Sequence, residues 1–308
     1  MSRKQTVTAA EIRSVKGRGF LHNKGTDAFS ARVITGNGQL TAEQLAVIAE
    51  AATRFGNGTV AFTVRLTVEV PGIRFTDIDA FTEFIASAGL KPGGTGHRVR
   101  PIVACKGTTC NYGLSDTQGI ATLIHERFYE AYYHVGLPHK FKIAIGGCPN
   151  NCVKPDLNDL GIISQLVPQY TPEDCRNCAK CAVVDTCAKM TGAASIQNDC
   201  ISIDRSLCIN CGRCVSKCAY RIFTDSQYRF RVFVGGKWGT RPRLGSPLGQ
   251  LLDETEMLNV IEKAILLYRQ QGLPEERFGD MIDRLGVEKS EELLLSDELL
   301  QQKDEILS

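Results

Sequence analysis

The sequence predicts an α+β fold that carries metal-binding modules, and three observations support this class. Segments with one apolar helical face alternate with segments of period-two alternation between residues 41 and 145. All thirteen cysteines fall between residues 105 and 218. With 43% hydrophobic residues in 308, the chain is long enough to build two or three modest domains with their own cores.

The first helix–strand–helix unit is predicted from the N-terminal third of the chain. A capping-box pattern at residues 41–44 begins a helix that "GNG" at residues 56–58 ends. The stretch "TVAFTVRLTVEV", residues 59–70, alternates apolar and polar residues and predicts one strand with Arg65 on its polar face. A second helix is predicted from Thr76 to about Ala88.

The next elements deliver polar residues and cysteines. "KPGGTGH" predicts a turn, and "RVRPIVAC" predicts a short strand that leads to Cys105, with Arg98 and Arg100 on one face. A helix is predicted over residues 116–133.

The segment "KFKIAI", residues 140–145, predicts a further strand. Its period-two geometry places Phe141, Ile143 and Ile145 on one face, and Lys140 and Lys142 together on the other. Two neighbouring ammonium groups repel each other, so the pair indicates either an ordinary solvated edge or an anion site.

The charge balance argues against several classes of partner. The 36 Lys and Arg residues nearly balance the 34 Asp and Glu residues, for a formal net charge of +2, so the chain lacks the strongly basic character of a nucleic-acid-binding protein.

No stretch has the length and apolarity of a signal peptide or a membrane span, so we expect a cytoplasmic protein without membrane contact. In a reducing compartment, cysteines bind metal more often than they form disulfides.

Two cysteine runs have the spacing of a module with two [4Fe-4S] clusters: C-x2-C-x2-C-x5-C from Cys175 and C-x2-C-x2-C-x3-C from Cys208. Because the fourth cysteine of each run ligates the other cluster in such modules, we expect two ligand sets. These are Cys175, Cys178, Cys181 and Cys218 for one cluster, and Cys208, Cys211, Cys214 and Cys187 for the other. Cys200 is the spare and an alternative to Cys187; a zinc knuckle fits these triplets poorly.

The four remaining cysteines form two pairs, in "ACKGTTCNYG" and "GGCPNNC". Four thiolates suit a third [4Fe-4S] cluster, although pair spacing alone also permits zinc. The ligands of this third site are Cys105, Cys110, Cys148 and Cys152.

Taken together, these features resemble the siroheme-dependent sulfite and nitrite reductase family. The resemblance rests on "GNGTVAFTVRLTVEVPGI", on "RPIVAC" with Cys110, on "KFK" followed by "GGCPNNC" and "DLGI", on the two-cluster insertion and on "ERFGDMIDRLG". It implies a nitrite/sulfite reductase-like α+β fold in four segments. They are an N-terminal ferredoxin-like half-domain (1–90), the first part of a siroheme and [4Fe-4S] domain (91–168), an inserted two-cluster ferredoxin module (169–223), and the domain's continuation with C-terminal helices (224–308).

The resemblance also implies roles for individual residues. In the family, one thiolate of the cluster held by two cysteine pairs is shared with siroheme iron, and that position is Cys152 here. Four basic residues surround the bound oxyanion in the family, and their counterparts are Arg65, Arg100, Lys140 and Lys142, part of whose charge would bind siroheme carboxylates. Asn150 and Asn151 are expected to donate hydrogen bonds to the cluster or the siroheme.

The expected activity is the six-electron reduction of sulfite to sulfide with siroheme and three [4Fe-4S] clusters. Reduction of nitrite to ammonia is the alternative for the same site, and a siroheme-free iron–sulfur electron-transfer subunit is the alternative of a different class. No flavin or nicotinamide fingerprint is visible, so we expect an external donor protein, a ferredoxin or flavin and iron–sulfur subunits. Because two-half members of the family join two similar units and this chain has one set of elements, we expect a homo-oligomer, dimeric or higher, or a hetero-oligomer.

Overall fold

A computed structural model of the protein describes residues 7–308, and the chain folds as two compact units. The first unit contains the described residues up to Ala104 together with Gly119–Ile143 and Glu262–Ser308. The second unit contains Cys105–Gln118 and Ala144–Ile261. The four-segment division drawn from the sequence stays a prediction.

The helices are α1 (Ala9–Lys16), α2 (Ala42–Phe55), α3 (Ile78–Ala86), α4 (Thr117–Ile124), α5 (Ala182–Ala188), α6 (Glu254–Gln271), α7 (Phe278–Leu285), α8 (Val287–Leu295), α9 (Glu298–Gln301) and α10 (Lys303–Leu307). The strands are β1 (Phe20–His22), β2 (Ala28–Val33), β3 (Ala61–Phe62), β4 (Val68–Arg74), β5 (Val103–Ala104), β6 (Ile143–Gly146), β7 (Leu160–Val167), β8 (Ala194–Gln197), β9 (Cys200–Ile203), β10 (Gln227–Val234) and β11 (Ser246–Pro247). This content confirms the predicted α+β class.

The first unit contains an antiparallel sheet of order β1-β2-β4-β3. Its buried side packs against α2 and α3 through a core in which the rings of Phe20 and Phe55 each meet Phe81 edge-on at about 6 Å. The predicted helix after Thr41 is confirmed, because the Thr41 hydroxyl accepts the Gln44 N–H and the Gln44 side chain accepts the Thr41 N–H. The second predicted helix is confirmed as α3.

The predicted single strand over residues 59–70 is wrong, because the chain turns back between β3 and β4. The Thr63 hydroxyl accepts the backbone N–H groups of Arg65 and Thr67, which closes a tight turn. Leu66 adopts φ +60°, and Val64 is fully exposed, so the apolar alternation in this stretch does not mark a continuous core face. Arg65 therefore lies in a turn and not on the polar face of a strand.

The predicted helix over residues 116–133 forms as α4 followed by a π-helical turn, His125–Glu130. In the first unit, Val99 pairs with Phe141 in a parallel bridge, which places the "RVR" segment beside the "KFK" segment. The amphipathic stretch after residue 253 forms α6, and the charged C-terminal stretch forms the short helices α8 to α10.

The second unit contains β10, which pairs antiparallel with β7 along their full lengths and with β11 on its other side; β6 lies next to β7. Residues 170–223 form a smaller cluster of their own around the β8–β9 hairpin and α5, with Val183, Ile201 and Phe223 buried. Across residues 7–308, each helix is too short or too polar to cross a bilayer.

Candidate functional site

Four cysteines of the second unit lie on the loops that follow β5 and β6. The Cys105 sulfur accepts the backbone N–H groups of Gly107 at 3.4 Å and Gly147 at 3.1 Å. A Cβ on Gly147 would lie 3.3 Å from that sulfur, and one on Gly107, where φ is +53°, would lie 2.6 Å from the Thr117 hydroxyl. Glycine at both positions lets the backbone wrap closely around Cys105.

The thiols of this group act on one another electrostatically. Burial raises the pKa of Cys148, and the nearby thiols of Cys105, Cys152 and Cys110 raise it further. The structure therefore brings all four predicted ligands together. Because bare thiolates repel in this setting, the group is suited to a cationic iron cluster that would hold the sulfurs as thiolates.

Cys152 differs from the other three in being exposed, whereas Cys105, Cys110 and Cys148 are half-buried. The preceding Asn151 adopts φ +56°, and its side-chain oxygen is buried without a hydrogen-bond partner among the described residues. Asn150 accepts a hydrogen bond of 3.4 Å from Arg213. An exposed sulfur can bind a second metal centre on its open side.

In the two-cluster insertion, Cys187 lies near Cys208, Cys211 and Cys214, the three cysteines with which the spacing predicts that it shares a cluster. Burial raises the pKa of Cys214 to about 12, and the thiols of Cys211, Cys208 and Cys187 raise it as well. Cys187 also accepts the backbone N–H of Ala194 at 3.3 Å. The sulfur of Cys187 therefore lies with the three cysteines of the second run.

Cys200 lies beside Cys175, which belongs to the predicted ligand set of the other cluster. The Cys200 thiol and the Cys175 backbone N–H both donate to the Pro172 carbonyl, at 3.3 Å and 3.0 Å, and the Ile201 N–H donates to the Cys175 sulfur at 3.4 Å. Hydrogen bonds from backbone N–H groups, first that of Asn177 and then that of Ile201, lower the pKa of Cys175. Cys178 is exposed, and Cys181 and Cys218 pack against the small core of this region.

Arg213, which lies between Cys211 and Cys214, contacts both loops of the first cysteine group. Its guanidinium carbon lies 4.1 Å from the Tyr112 ring centroid, and its Nη2 donates to Asn150. The same loop is fixed to β7, because Leu166 N–H donates to the Asn210 carbonyl at 2.9 Å. No motif in the sequence indicates this role of Arg213.

In the first unit, Arg100 is the most unusual of the predicted basic residues. Its Nη1 donates to the Gly94 carbonyl, but its Nε is buried and has no hydrogen-bond partner among the described residues. Burial lowers the pKa of Arg100 to about 10, and the charges of Arg32, Arg98 and Arg277 lower it further, against an opposing contribution from Tyr129.

The other three predicted basic residues belong to the same unit. Arg65 donates from Nη1 to the carbonyls of Pro101 and Ile143, at 3.2 and 3.4 Å. Lys140 and Lys142 are half-buried and flank Phe141, which is fully buried, so the predicted alternation of burial is confirmed from Lys140 to Ile143. The predicted strand over residues 140–145 is shorter than expected, because β6 begins at Ile143, and Ala144 is buried like its neighbours.

Arg277, Arg32 and Arg98 are further cations that act on Arg100, and no local pattern in the sequence assigns them to this group. Arg32 is paired with Glu69 at 2.6 Å, and the Arg98 guanidinium stacks 4.5 Å above the Tyr133 ring. Arg277 precedes α7 in the "ERFGD" stretch, far along the chain from Arg100. The parallel pairing of Val99 with Phe141 could not be read from periodicity, so these charges could not be grouped beforehand.

The crowded cations and the unpartnered Nε of Arg100 fit an anionic group. A buried guanidinium without a counter-charge costs stability, and a carboxylate or oxyanion would relieve that cost. Siroheme is rich in carboxylates, so the first unit offers donors suited to it.

Comparison with protein-family models places most of the chain in two adjoining matches. Residues 22–88 match the nitrite/sulfite reductase ferredoxin-like half domain. Residues 95–303 match the nitrite and sulphite reductase 4Fe-4S domain. The chain belongs to the nitrite and sulfite reductase family. The predicted family and fold class are thereby confirmed.

Curated relatives in this family include proteins of different size. An uncharacterised protein of Methanocaldococcus jannaschii is 30% identical over 85% of this chain and 89% of its own length. The coenzyme F420-dependent sulfite reductase of the same organism is 31% identical over 76% of this chain. A subunit of the anaerobic sulfite reductase of Salmonella typhimurium is 33% identical over 47% of this chain. The matches span only 37% and 45% of the two named reductases.

Two solved structures share the fold of this chain. Dissimilatory sulfite reductase I superposes with a TM-score of 0.68 at 20% identity, covering 87% of this chain and 69% of that one. The NirA protein of Mycobacterium tuberculosis gives the same TM-score at 17% identity, covering 97% and 49%.

Proposed function

We propose that this chain reduces sulfite to sulfide, using siroheme coupled to a [4Fe-4S] cluster. The observation that carries the proposal is the buried Arg100 Nε within a group of cations. An iron–sulfur subunit that only passes electrons needs no such group, whereas an enzyme that binds a multiply charged oxyanion and a carboxylate-rich cofactor does.

Cys105, Cys110, Cys148 and Cys152 would hold the coupled cluster. Cys152 would share its thiolate with the siroheme iron, which accords with its exposure. When bound, siroheme supplies the iron that takes the sulfur atom of the substrate and the conjugated ring through which electrons reach it. The side-chain N–H groups of Asn150 and Asn151 would donate to the cluster or the siroheme, and the N–H groups of Gly107 and Gly147 at the Cys105 sulfur would tune the potential of the cluster.

The basic residues would bind and polarise the anion. Arg65 and Arg100 remain charged and hold the oxygens or the siroheme carboxylates, while Lys140 and Lys142 neutralise charge and donate protons to the oxygens that leave as water. The half-buried position of both lysines would strengthen these interactions relative to bulk water.

A cluster suits the cysteines better than zinc does. The insertion carries the C-x2-C-x2-C triplet twice, and such triplets fit a zinc site poorly. Residues 95–303 also match a 4Fe-4S domain. Both observations support [4Fe-4S] clusters, of which the proposal includes three.

Electrons would enter from an external donor protein through the two clusters of the insertion. Arg213 supports this route, because it joins the loop of the second cysteine run to both loops of the coupled cluster. We include a homo-oligomer or hetero-oligomer in the proposal, since relatives named as subunits belong to larger assemblies.

The test is anaerobic expression with an adequate supply of siroheme, followed by spectroscopy and turnover with a reduced viologen dye. We expect siroheme absorption bands and sulfide formation from sulfite, with Lys142→Ala impairing turnover at unchanged iron content. Parallel assays with nitrite measure ammonia. Faster nitrite turnover would reverse the substrate assignment, and protein that contains its clusters but never siroheme would refute the enzymatic proposal.

A further inference from the structure

Two histidines and a glutamate in the first unit form a group that the proposed reaction does not use. His97, His139 and Glu275 come from three distant parts of the sequence, and their ligand atoms all lie within 4.8 Å of one another. The two imidazole rings are 4.8 Å apart between centroids and tilted by 34°. None of the three is a cysteine or one of the four basic residues assigned to the anion, and His139 directly precedes one of those residues, Lys140.

The backbone fixes the three segments against one another. Leu137 N–H donates to the His97 carbonyl at 3.0 Å, and Glu275 N–H donates to the Pro138 carbonyl at 3.2 Å. Gly272 allows the close approach, since a Cβ there would lie 2.5 Å from the Pro138 ring. The histidines and the glutamate are therefore held at short range by main-chain contacts, before any ligand binds.

Glu275 occupies a strained position. Its φ is +64°, which non-glycine residues seldom adopt and which a local fold must maintain. Its carboxylate lies 3.7 Å from the His97 Nε2, beyond an ordinary hydrogen bond. An open depression of about 490 Å³ adjoins the group and is lined by His97 and Glu275 together with Pro138, Arg269 and Gly272.

We propose that His97, His139 and Glu275 bind one divalent transition-metal ion of the zinc or nickel class. Two imidazoles and one carboxylate are a ligand set that such ions accept, whereas magnesium and calcium prefer oxygen ligands throughout. A tetrahedral ion with ligands at about 2.1 Å holds them about 3.4 Å apart. The half-exposed His97 and the exposed Glu275 have the freedom to close the remaining gap. Water from the open depression completes the coordination.

Two features weaken the site relative to a cysteine zinc site. The His139 Nδ1 accepts the Lys140 backbone N–H at 2.7 Å, so metal binding competes with this hydrogen bond or shifts the tautomer of the ring. Lys140 and Arg277 act on His139 as neighbouring positive charges, and the Glu275 carboxylate is the nearby charge that offsets them. Occupancy would clamp the segment that carries Lys140 to the segments of His97 and Glu275.

The experiment uses the holoprotein with its clusters intact, treated anaerobically with a chelator and titrated with zinc chloride by calorimetry. We expect one zinc ion per chain, an affinity lowered roughly tenfold or more in His97→Gln and in Glu275→Gln, and no change in His134→Gln, an exposed histidine outside the group. Circular dichroism of each variant shows whether it is folded.

Zinc bound equally by wild type and by a folded His97→Gln variant would overturn the proposal, as would no binding by wild type at millimolar zinc. Zinc taken up by cysteines would persist in His97→Gln and so would be recognised. The readout does not depend on turnover, so failure here leaves the proposed reductase function untouched.

Discussion

The guanidinium of Arg213 stacks on the ring of Tyr112, with 4.1 Å between the guanidinium carbon and the ring centroid. Tyr112 follows Cys110 by two residues, and Arg213 precedes Cys214 by one. This contact therefore joins the loop of one predicted cluster to the loop of another within the second unit.

We predict that Arg213→Ala slows the passage of electrons from the inserted module to the coupled cluster. The loss of the stacked contact and of the Asn150 hydrogen bond should cost about 1 kcal/mol of stability and loosen the two loops. Stopped-flow reduction followed at each cluster's spectroscopic signature measures the internal transfer rate. Lys217→Ala, an exposed change in the same module, is the control, and an unaltered internal rate in Arg213→Ala would contradict the role.

Arg100→Met should reduce siroheme retention and sulfite turnover without lowering the melting temperature. The substitution removes a desolvated charge whose Nε lacks a partner among the described residues, and replacing such a charge by an apolar side chain is often neutral or stabilising. Thermal unfolding and bound-siroheme absorbance measure the two effects separately. A variant that unfolds at a much lower temperature yet keeps full turnover would show that Arg100 serves the fold and not the anion.

Cys187→Ser and Cys200→Ser should have different iron contents. Cys187 lies with Cys208, Cys211 and Cys214, so its loss should remove or degrade one cluster, about four iron atoms per chain. Cys200 lies beside Cys175 and is the spare, so its loss should leave the iron content unchanged. Iron and acid-labile sulfide assays on anaerobic protein decide this, and the reverse pattern would reassign the ligands.

Gly107→Ala should damage the coupled cluster. The added Cβ would meet the Thr117 hydroxyl at 2.6 Å, and the φ of +53° adds a strain of about 1–2 kcal/mol for any other residue. We expect lower iron occupancy and weaker siroheme absorption. Gly136→Ala is a matched control, because no atom of residues 7–308 lies within 4 Å of a Cβ there. Equal iron content in both variants would show that the Cys105 loop tolerates the side chain.

Local sequence patterns predicted those features that depend on neighbouring residues. The capping box at Thr41, the helix α3 and the alternation around Phe141 are each set by contacts within a few residues, and each is confirmed. The prediction of a single strand over residues 59–70 is wrong because the alternation there is equally compatible with one strand and with a hairpin that turns at Thr63.

The features that local sequence patterns do not predict depend on contacts between segments far apart in the chain. The charges near Arg100 come from Arg32, Arg98 and Arg277, and Cys200 lies beside Cys175 because β9 follows a hairpin that returns the chain to that loop. Period and spacing carry no information about such contacts, so neither grouping could be predicted.

The division of the chain into two units separates two kinds of chemistry. Each of the four predicted anion-binding cations belongs to the unit that contains Gly119–Ile143, and all thirteen cysteines belong to the other. The proposed reaction would therefore draw its cations from one unit and its cluster ligands from the other. A substitution among the cations leaves every cysteine ligand in the chain, and a substitution among the cysteines leaves every one of the four cations.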